Sequence, residues 1–290
     1  MKLSRRESLF GLLVLSPALL FFLIFLAYPV LLSLQFSFTD FDLTTGKPPG
    51  FIGLRNYINA LIDPVVTDSI VRTFIFAAGT CAISFLLGLI LALMLNEDLY
   101  LKRILRSVSI IPYVMPSTAS ALMWLWIFDG EYGIANYILK TLGLISQNVV
   151  WYAYPSTAIM GIIITTSSKM TPFMMLILLA GLQQVPESFY ECAKVDGANF
   201  VQRFRFITIP AMKGVIAVTV VQGIIWSFKT FDVIYAQTLG GPYYSTTTLS
   251  YLVYHYSFDY LRFGYGSALS FILTFLILLL TILTIKVLKE

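Results

Sequence analysis

Side chains able to contact a solute gather in two apolar stretches. Lys169 stands among Thr165, Thr166, Ser167, Ser168 and Thr171, with Pro172 close behind, inside an otherwise hydrophobic run. In a second run Gln222, Trp226 and Lys229 recur at spacings of four and three, which puts them on one face of a helix. An ionisable group at membrane depth is expensive, so each becomes a candidate for a passage. Aromatic rings with amides and hydroxyls suit a sugar, whose C–H faces pack on the ring while its hydroxyls take hydrogen bonds. The bland alternative is that these groups only stitch helices together, with Lys229 snorkelling outward.

Reactive chemistry is poorly supplied. One histidine (His255) and two cysteines (Cys81, Cys192) form no constellation of nucleophile, base or metal ligands. Cys81 in an apolar run and Cys192 in a polar loop do not read as a disulfide. A GxxxxGK[ST] phosphate loop is absent from the sequence. The expectation is therefore a chain that is not an enzyme, binds no metal and holds no cofactor of its own.

The elements that must position these residues follow from composition. The 290 residues are 58% hydrophobic and 12% charged, against about 25% charged in an ordinary soluble domain. Mean hydropathy is +0.83. Such a chain cannot cover its surface with polar groups, so hydrocarbon must do part of the solvating. Six stretches reach the roughly 17–25 residues of a span: about 9–36, 70–95, 108–128, 154–182, 215–235 and 266–288. The predicted fold is an all-α membrane protein of one domain over 1–290, its first span a retained anchor rather than a cleaved signal. Lys169 lies roughly 20 Å along the fourth helix from its basic-side end, near mid-bilayer.

Basic residues orient the spans. Lys2, Arg5, Arg6, Lys102, Arg103, Arg106, Lys194, Arg203, Arg205, Lys213, Lys286 and Lys289 fall at one set of ends. Only Lys47, Arg55, Lys140 and Arg262 lie in the opposite loops, with Arg72 at a helix entrance. That asymmetry predicts cytoplasmic termini, and it accounts for the net charge of +4 without any nucleic-acid partner. Tyr57, Trp151, Tyr152, Tyr243, Tyr244, Tyr254 and Tyr256 fall in the outer loops as interface aromatics. Ser84, Gly88 and Ala92 make a small-xxx-small stripe for close helix packing, and Pro17, Pro29, Pro112, Pro116 and Pro172 are expected to interrupt spans.

The loop between the fourth and fifth spans, residues 185–210, reads as a short helix with punctuation. Pro186 suits its first position, Glu187 its positive end and Gly197 a left-handed stop. A second short helix runs from about Asn199 to Pro210. Phe189, Cys192 and Ala193 give the first helix an apolar side, suited to docking in a partner's groove.

This loop resembles the EAA loop of ABC-importer permeases, Glu-Ala-Ala, three residues, Gly, nine residues, then Ile-x-Leu-Pro. Glu191, Ala193, Gly197, Ile207 and Pro210 fall in register, with Cys192 and Ile209 departing conservatively. Residues 231–242, ending Gly240-Gly241-Pro242, with Ser245 to Leu249, Tyr254 and Phe258, resemble the outer loop of sugar-type permeases of the maltose and glycerol-3-phosphate class. Phe51 to Tyr57 and the Pro112 and Pro116 pair also fit that family.

The resemblance implies a heterodimer of two permeases in the cytoplasmic (inner) membrane. It would be served by an extracytoplasmic solute-binding protein and by a dimer of ATP-binding subunits that hold the ATP and Mg. It assigns Glu187, Tyr190, Glu191, Ala193, Asp196, Gly197, Ile207 and Pro210 to ATPase coupling. By position it assigns Ser167, Ser168, Lys169, Met170, Gln222, Gly223, Trp226 and Ser227 to the substrate pathway, with Tyr113 and Ser117 beside them. The competing class, an ion-gradient-driven secondary transporter, would want acidic groups at mid-depth; Asp232 lies only near an outer end. Lys169 leaves a phosphorylated substrate open.

Overall fold

The computed structural model describes residues 5–97 and 100–289, with side chains from 13–97 and 100–287. Lys2 lies outside the described residues, as do the side chains of Arg5, Arg6 and Lys289. Helices carry almost all of the structure. Among the described residues the one extended pairing is an isolated bridge between Thr39 and Phe51. The chain divides into two compact units, Met1–Asp63 with Val253–Ile272, and Pro64–Leu252 with Leu273–Glu290.

In the first unit, α1 (Arg5–Phe22) passes through a π turn, Leu23–Ala27, into α2 (Tyr28–Ser37). Pro29 has no N–H to offer the carbonyl one turn back; the wider turn, closed by Tyr28 N–H on the Leu23 carbonyl, absorbs it without a break. Across the apolar stretch 13–36 no residue is buried inside the chain. At its end, the buried Asn56 on α3 (Arg55–Ile62) donates to the carbonyls of Ser37 and Thr39 at 3.0 and 2.8 Å.

The second unit begins with α4 (Pro64–Asn96), then α5 (Lys102–Val114), α6 (Ser117–Ile127), α7 (Ile134–Thr141) and α8 (Pro155–Leu182). The loop between the fourth and fifth predicted spans forms α9 (Glu187–Val195), α10 (Phe200–Arg203) and α11 (Ile209–Ala211). After it come α12 (Lys213–Lys229) and α13 (Asp232–Gln237); α14 (Leu249–Tyr254) and α15 (Phe263–Lys289) are divided, with residues 253–254 and 263–272 belonging to the first unit.

The small-residue stripe joins α4 to α8. Ser84, Gly88 and Ala92 are all buried. A Cβ on Gly88 would stand 3.1 Å from the Met175 main-chain nitrogen and 3.1 Å from the Met174 Cβ, so the helices touch backbone to backbone there. Ser84 Oγ donates to the Ser167 carbonyl at 3.4 Å, and Ser167 Oγ to the Thr80 carbonyl at 3.3 Å. Leu89, Leu95, Leu178, Leu182 and Met212 continue the contact as an apolar cluster. In lipid the gain is dispersion and fit rather than expulsion of water, which is why small residues mark this interface.

Among the described residues four helices are long and apolar enough to cross a membrane, and up to six if each of two bent pairs counts as one span. Those pairs correct the sequence reading. The predicted third span, 108–128, is not one helix: α5 and α6 meet at 98°. Met115 is extended (ψ 139°), as a residue before proline tends to be, and Pro116 starts α6. The predicted fifth span, 215–235, stops at Lys229, where Thr230 turns extended (ψ 119°) and α13 begins as a separate short helix. Its entry is also bent, by 73° relative to 200–211. Pro17, Pro112 and Pro172 sit inside unbroken helices, so of the five expected interruptions only Pro116 divides a span.

Candidate functional site

A cavity of about 600 Å³ opens where α5, α6, α8 and α12 converge. Tyr113 and Val114 line it from α5, Ser117 from α6, Thr166, Lys169 and Met170 from α8, and Trp226 and Lys229 from α12. Thr230, Asp232 and Val233 complete it where α12 gives way to α13. The two corrected spans therefore build the site. The bend at Pro116 brings the first residue of α6 against mid-α8, and Lys169 Nζ donates to Ser117 Oγ.

One wall is aromatic. Tyr113 and Trp226 line it, and Phe173, itself outside the lining, packs against both, with ring centroids 5.5 and 4.6 Å away. Tyr113 and Trp226 are near parallel, 18° apart at 6.0 Å. Offset ring pairs of this kind contribute about 0.5–1.5 kcal/mol each beyond their buried area, which holds the wall in one arrangement.

The cavity brings together Tyr113, Ser117, Thr166, Lys169, Met170, Trp226 and Lys229 of the candidates read from sequence, and leaves the others outside. Ser167 is bonded to α4 as described. Ser168 Oγ donates to the Thr165 carbonyl at 2.7 Å. Ser227 is buried, with Oγ on the Gly223 carbonyl at 2.8 Å. Gly223 itself is a packing residue, since a Cβ there would stand 2.4 Å from Met174 Cε and 2.8 Å from Cys81 Sγ. Gln222, half-buried, lies one turn along α12 from Trp226, about 6 Å of rise, and stops short of the cavity.

Two contributors went unread in the sequence. Phe173 passes for core because it follows Pro172 in an apolar run. Gln237 donates from Nε2 to the Ala121 carbonyl at 2.9 Å and to Thr165 Oγ1 at 3.0 Å, tying α13 to α6 and α8. A lone amide in a hydrophobic stretch was its only signal.

The 185–210 loop forms a second feature. Pro186 is the N-cap of α9, one position earlier than expected, with Glu187 in the first turn. Gly197 takes φ +77° and ends the turn after Asp196. Asn199 and Gln202 then close a capping box at 2.9 and 2.8 Å, starting α10. A π turn, Phe204–Thr208, carries the chain into α11. The return bonds back to α9 through Tyr190 Oη and Thr208 Oγ1, 3.0 Å apart. Between the two lies a groove of about 540 Å³, with Phe189, Cys192, Ala193 and Asp196 on one side and Phe206, Ile207, Pro210 and Ala211 on the other. Glu187 and Glu191 are exposed beside it.

Residues 238–251 are held by their own hydroxyls. Thr247 Oγ1 donates to the Gly240 carbonyl at 3.0 Å, and Thr246 Oγ1 to that of Gly241 at 2.8 Å, around a cis Gly241–Pro242 peptide. Thr73 on α4 accepts the Leu249 N–H at 2.8 Å, anchoring the segment.

A family model described as binding-protein-dependent transport system inner membrane component matches residues 84–288, over half of the chain. The chain belongs to that family. Inner membrane components of this kind are multi-pass transport proteins, not enzymes. Relatives match along almost the whole length. The trehalose/maltose transport system permease protein MalF of Thermococcus litoralis is 38% identical over 99% of this chain and 96% of its own. The sulfoquinovosyl glycerol transport system permease protein SmoG of Agrobacterium fabrum is 34% identical over 98% and 91%. The fold matches a chain in the crystal structure of a bacterial ABC transporter involved in the import of the acidic polysaccharide alginate, with TM-score 0.82, 22% identity and coverage of 98% and 96%.

Proposed function

We propose that this chain is one membrane subunit of an ATP-driven carbohydrate importer, and that solute crosses through the cavity at Lys169 and Trp226. One observation carries the reading: the Tyr113 and Trp226 rings, packed against Phe173, meet the Ser117, Thr166 and Thr230 hydroxyls and a lysine well inside a membrane helix. Rings take the apolar faces of a sugar, the ammonium donates to its oxygens, and the Thr166 and Thr230 hydroxyls, whose own protons go to the Ile162 and Trp226 carbonyls, accept from its hydroxyls. The sugar-transport names of the relatives support the same class.

The rest of the assembly follows from the resemblance. A second permease completes the passage, a binding protein delivers solute from outside, and ATP with Mg is held by a separate pair of subunits. The groove beside α9 supports this, because an exposed helix with an apolar side and free carboxylates at Glu187 and Glu191 is a fit handle for a basic cleft. The reading puts this loop on the cytoplasmic side, and the basic residues around it, Lys194, Arg203, Arg205 and Lys213, support that.

The test is uptake of labelled oligosaccharide into proteoliposomes holding the full set of subunits. Uptake that requires ATP with the motor subunits, and survives ionophores that collapse ion gradients, is the expected result. Uptake driven by a gradient without nucleotide would establish the secondary-transporter reading instead.

A further inference from the structure

We propose that the solute is a sugar bearing an anionic group (carboxylate, sulfonate or phosphate) and that Lys169 with Ser117 receives that group. This rests on the carbohydrate reading and narrows it. The cavity is lined by two ammonium groups, Lys169 and Lys229, and one carboxylate, Asp232. Among the described residues no ion pair joins Asp232 to either lysine or gives Lys169 a carboxylate partner. Asp232 lies in the first turn of α13, where backbone N–H groups favour a negative charge. Lys169 has a hydroxyl instead.

A hydroxyl orients an ammonium but does not neutralise it. A half-buried cation in a membrane helix without a counter-charge is costly, and the cost is relieved when an anion enters beside it. The chemistry of the pair is one-sided: Lys offers three donors and no acceptor, while Ser117 can turn its O–H to a second oxygen of the same group. A neutral sugar hydroxyl accepts from the ammonium but leaves its charge uncompensated; a carboxylate, sulfonate or phosphate both accepts through charge-assisted bonds and neutralises it. Trp226 and Tyr113 then lie within the same cavity for the ring that carries the group, and 600 Å³ falls within the range that holds a small ligand. Exposed Lys229 adds to the attraction of anions.

The intact transporter, with its companion subunits and binding protein in proteoliposomes, is offered glucose, maltotriose, glucuronate, trigalacturonate and glucose 6-phosphate as labelled probes. The expected result is uptake confined to acid-bearing probes. Lys169→Gln should lower it by about tenfold or more, and Lys169→Arg, which keeps the charge, should retain most of it. Uptake of glucose or maltotriose alone overturns the inference and leaves the carbohydrate reading standing. Uptake of no probe overturns both. Equal uptake by wild type and Lys169→Gln, or equal loss in the two variants, removes Lys169 as the anion's partner.

Discussion

Trp226 on α12 and Tyr113 on α5 lie nearly parallel side by side on the cavity wall, 18° apart at 6.0 Å, and Phe173 of α8 packs against both. Three helices thus share one ring wall. Trp226→Ala removes the central face on which a sugar would stack. We expect the concentration for half-maximal uptake to rise about tenfold, or about 1.4 kcal/mol, while the subunits still co-purify. Unchanged uptake kinetics would take the wall out of the pathway.

Close packing makes two glycines unequal. Around Gly88 the neighbours of an added Cβ include the Met175 nitrogen and the Thr171 carbonyl, which cannot turn aside. Around Gly223 they are side-chain ends, Met174 Cε and Cys81 Sγ, which can. Gly88→Leu should therefore abolish stable protein, and Gly223→Ala should cost about 1–3 kcal/mol. Thermal unfolding in detergent, read by size-exclusion fluorescence, checks the order. A reversed order would contradict the packing described.

Gly197 separates conformation from contact. Its φ of +77° is a left-handed value, yet a Cβ there meets nothing within 4 Å. Asn tolerates that region and a β-branched residue does not. Gly197→Asn should keep most uptake and Gly197→Val should lose most of it, with both proteins present at wild-type levels in the membrane. Equal effects of the two would mean the turn is not needed.

Glu191 is exposed and has no ion pair within the chain among the described residues. Its substitution should cost the fold nothing. Glu191→Lys reverses the charge offered to a basic cleft, so membrane content should be unchanged while sugar-stimulated ATP hydrolysis and uptake fall together. Wild-type uptake in this variant would remove the coupling role.

The sequence revealed most of the elements and less of their geometry. Long apolar runs foretold α4 and α8, and the stripe at Ser84, Gly88 and Ala92 foretold a close helix contact without naming its partner, because length, hydropathy and side-chain size decide those directly. The stop at Gly197 and a second helix starting near Asn199 were legible for the same local reasons, but the box that Asn199 closes with Gln202 went unread. Hydropathy is blind to direction, so the run 108–128 gave no measure of a 98° bend, although Pro116 marked its place. Spacing likewise put Gln222 on the Lys229 face but not at its height along α12. Phe173, Thr230 and Gln237 acquire meaning only from what the bends bring opposite them.

Val114 lines the cavity and has no assigned role, which makes it the fairest witness to whether solute passes there. With the exposed Cys192 replaced by Ala, Val114→Cys is treated with a charged thiol reagent in the assembled transporter. Modification is predicted to stop ATP-driven uptake, and saturating transported sugar to slow modification. Full uptake after complete modification of position 114 would contradict the account.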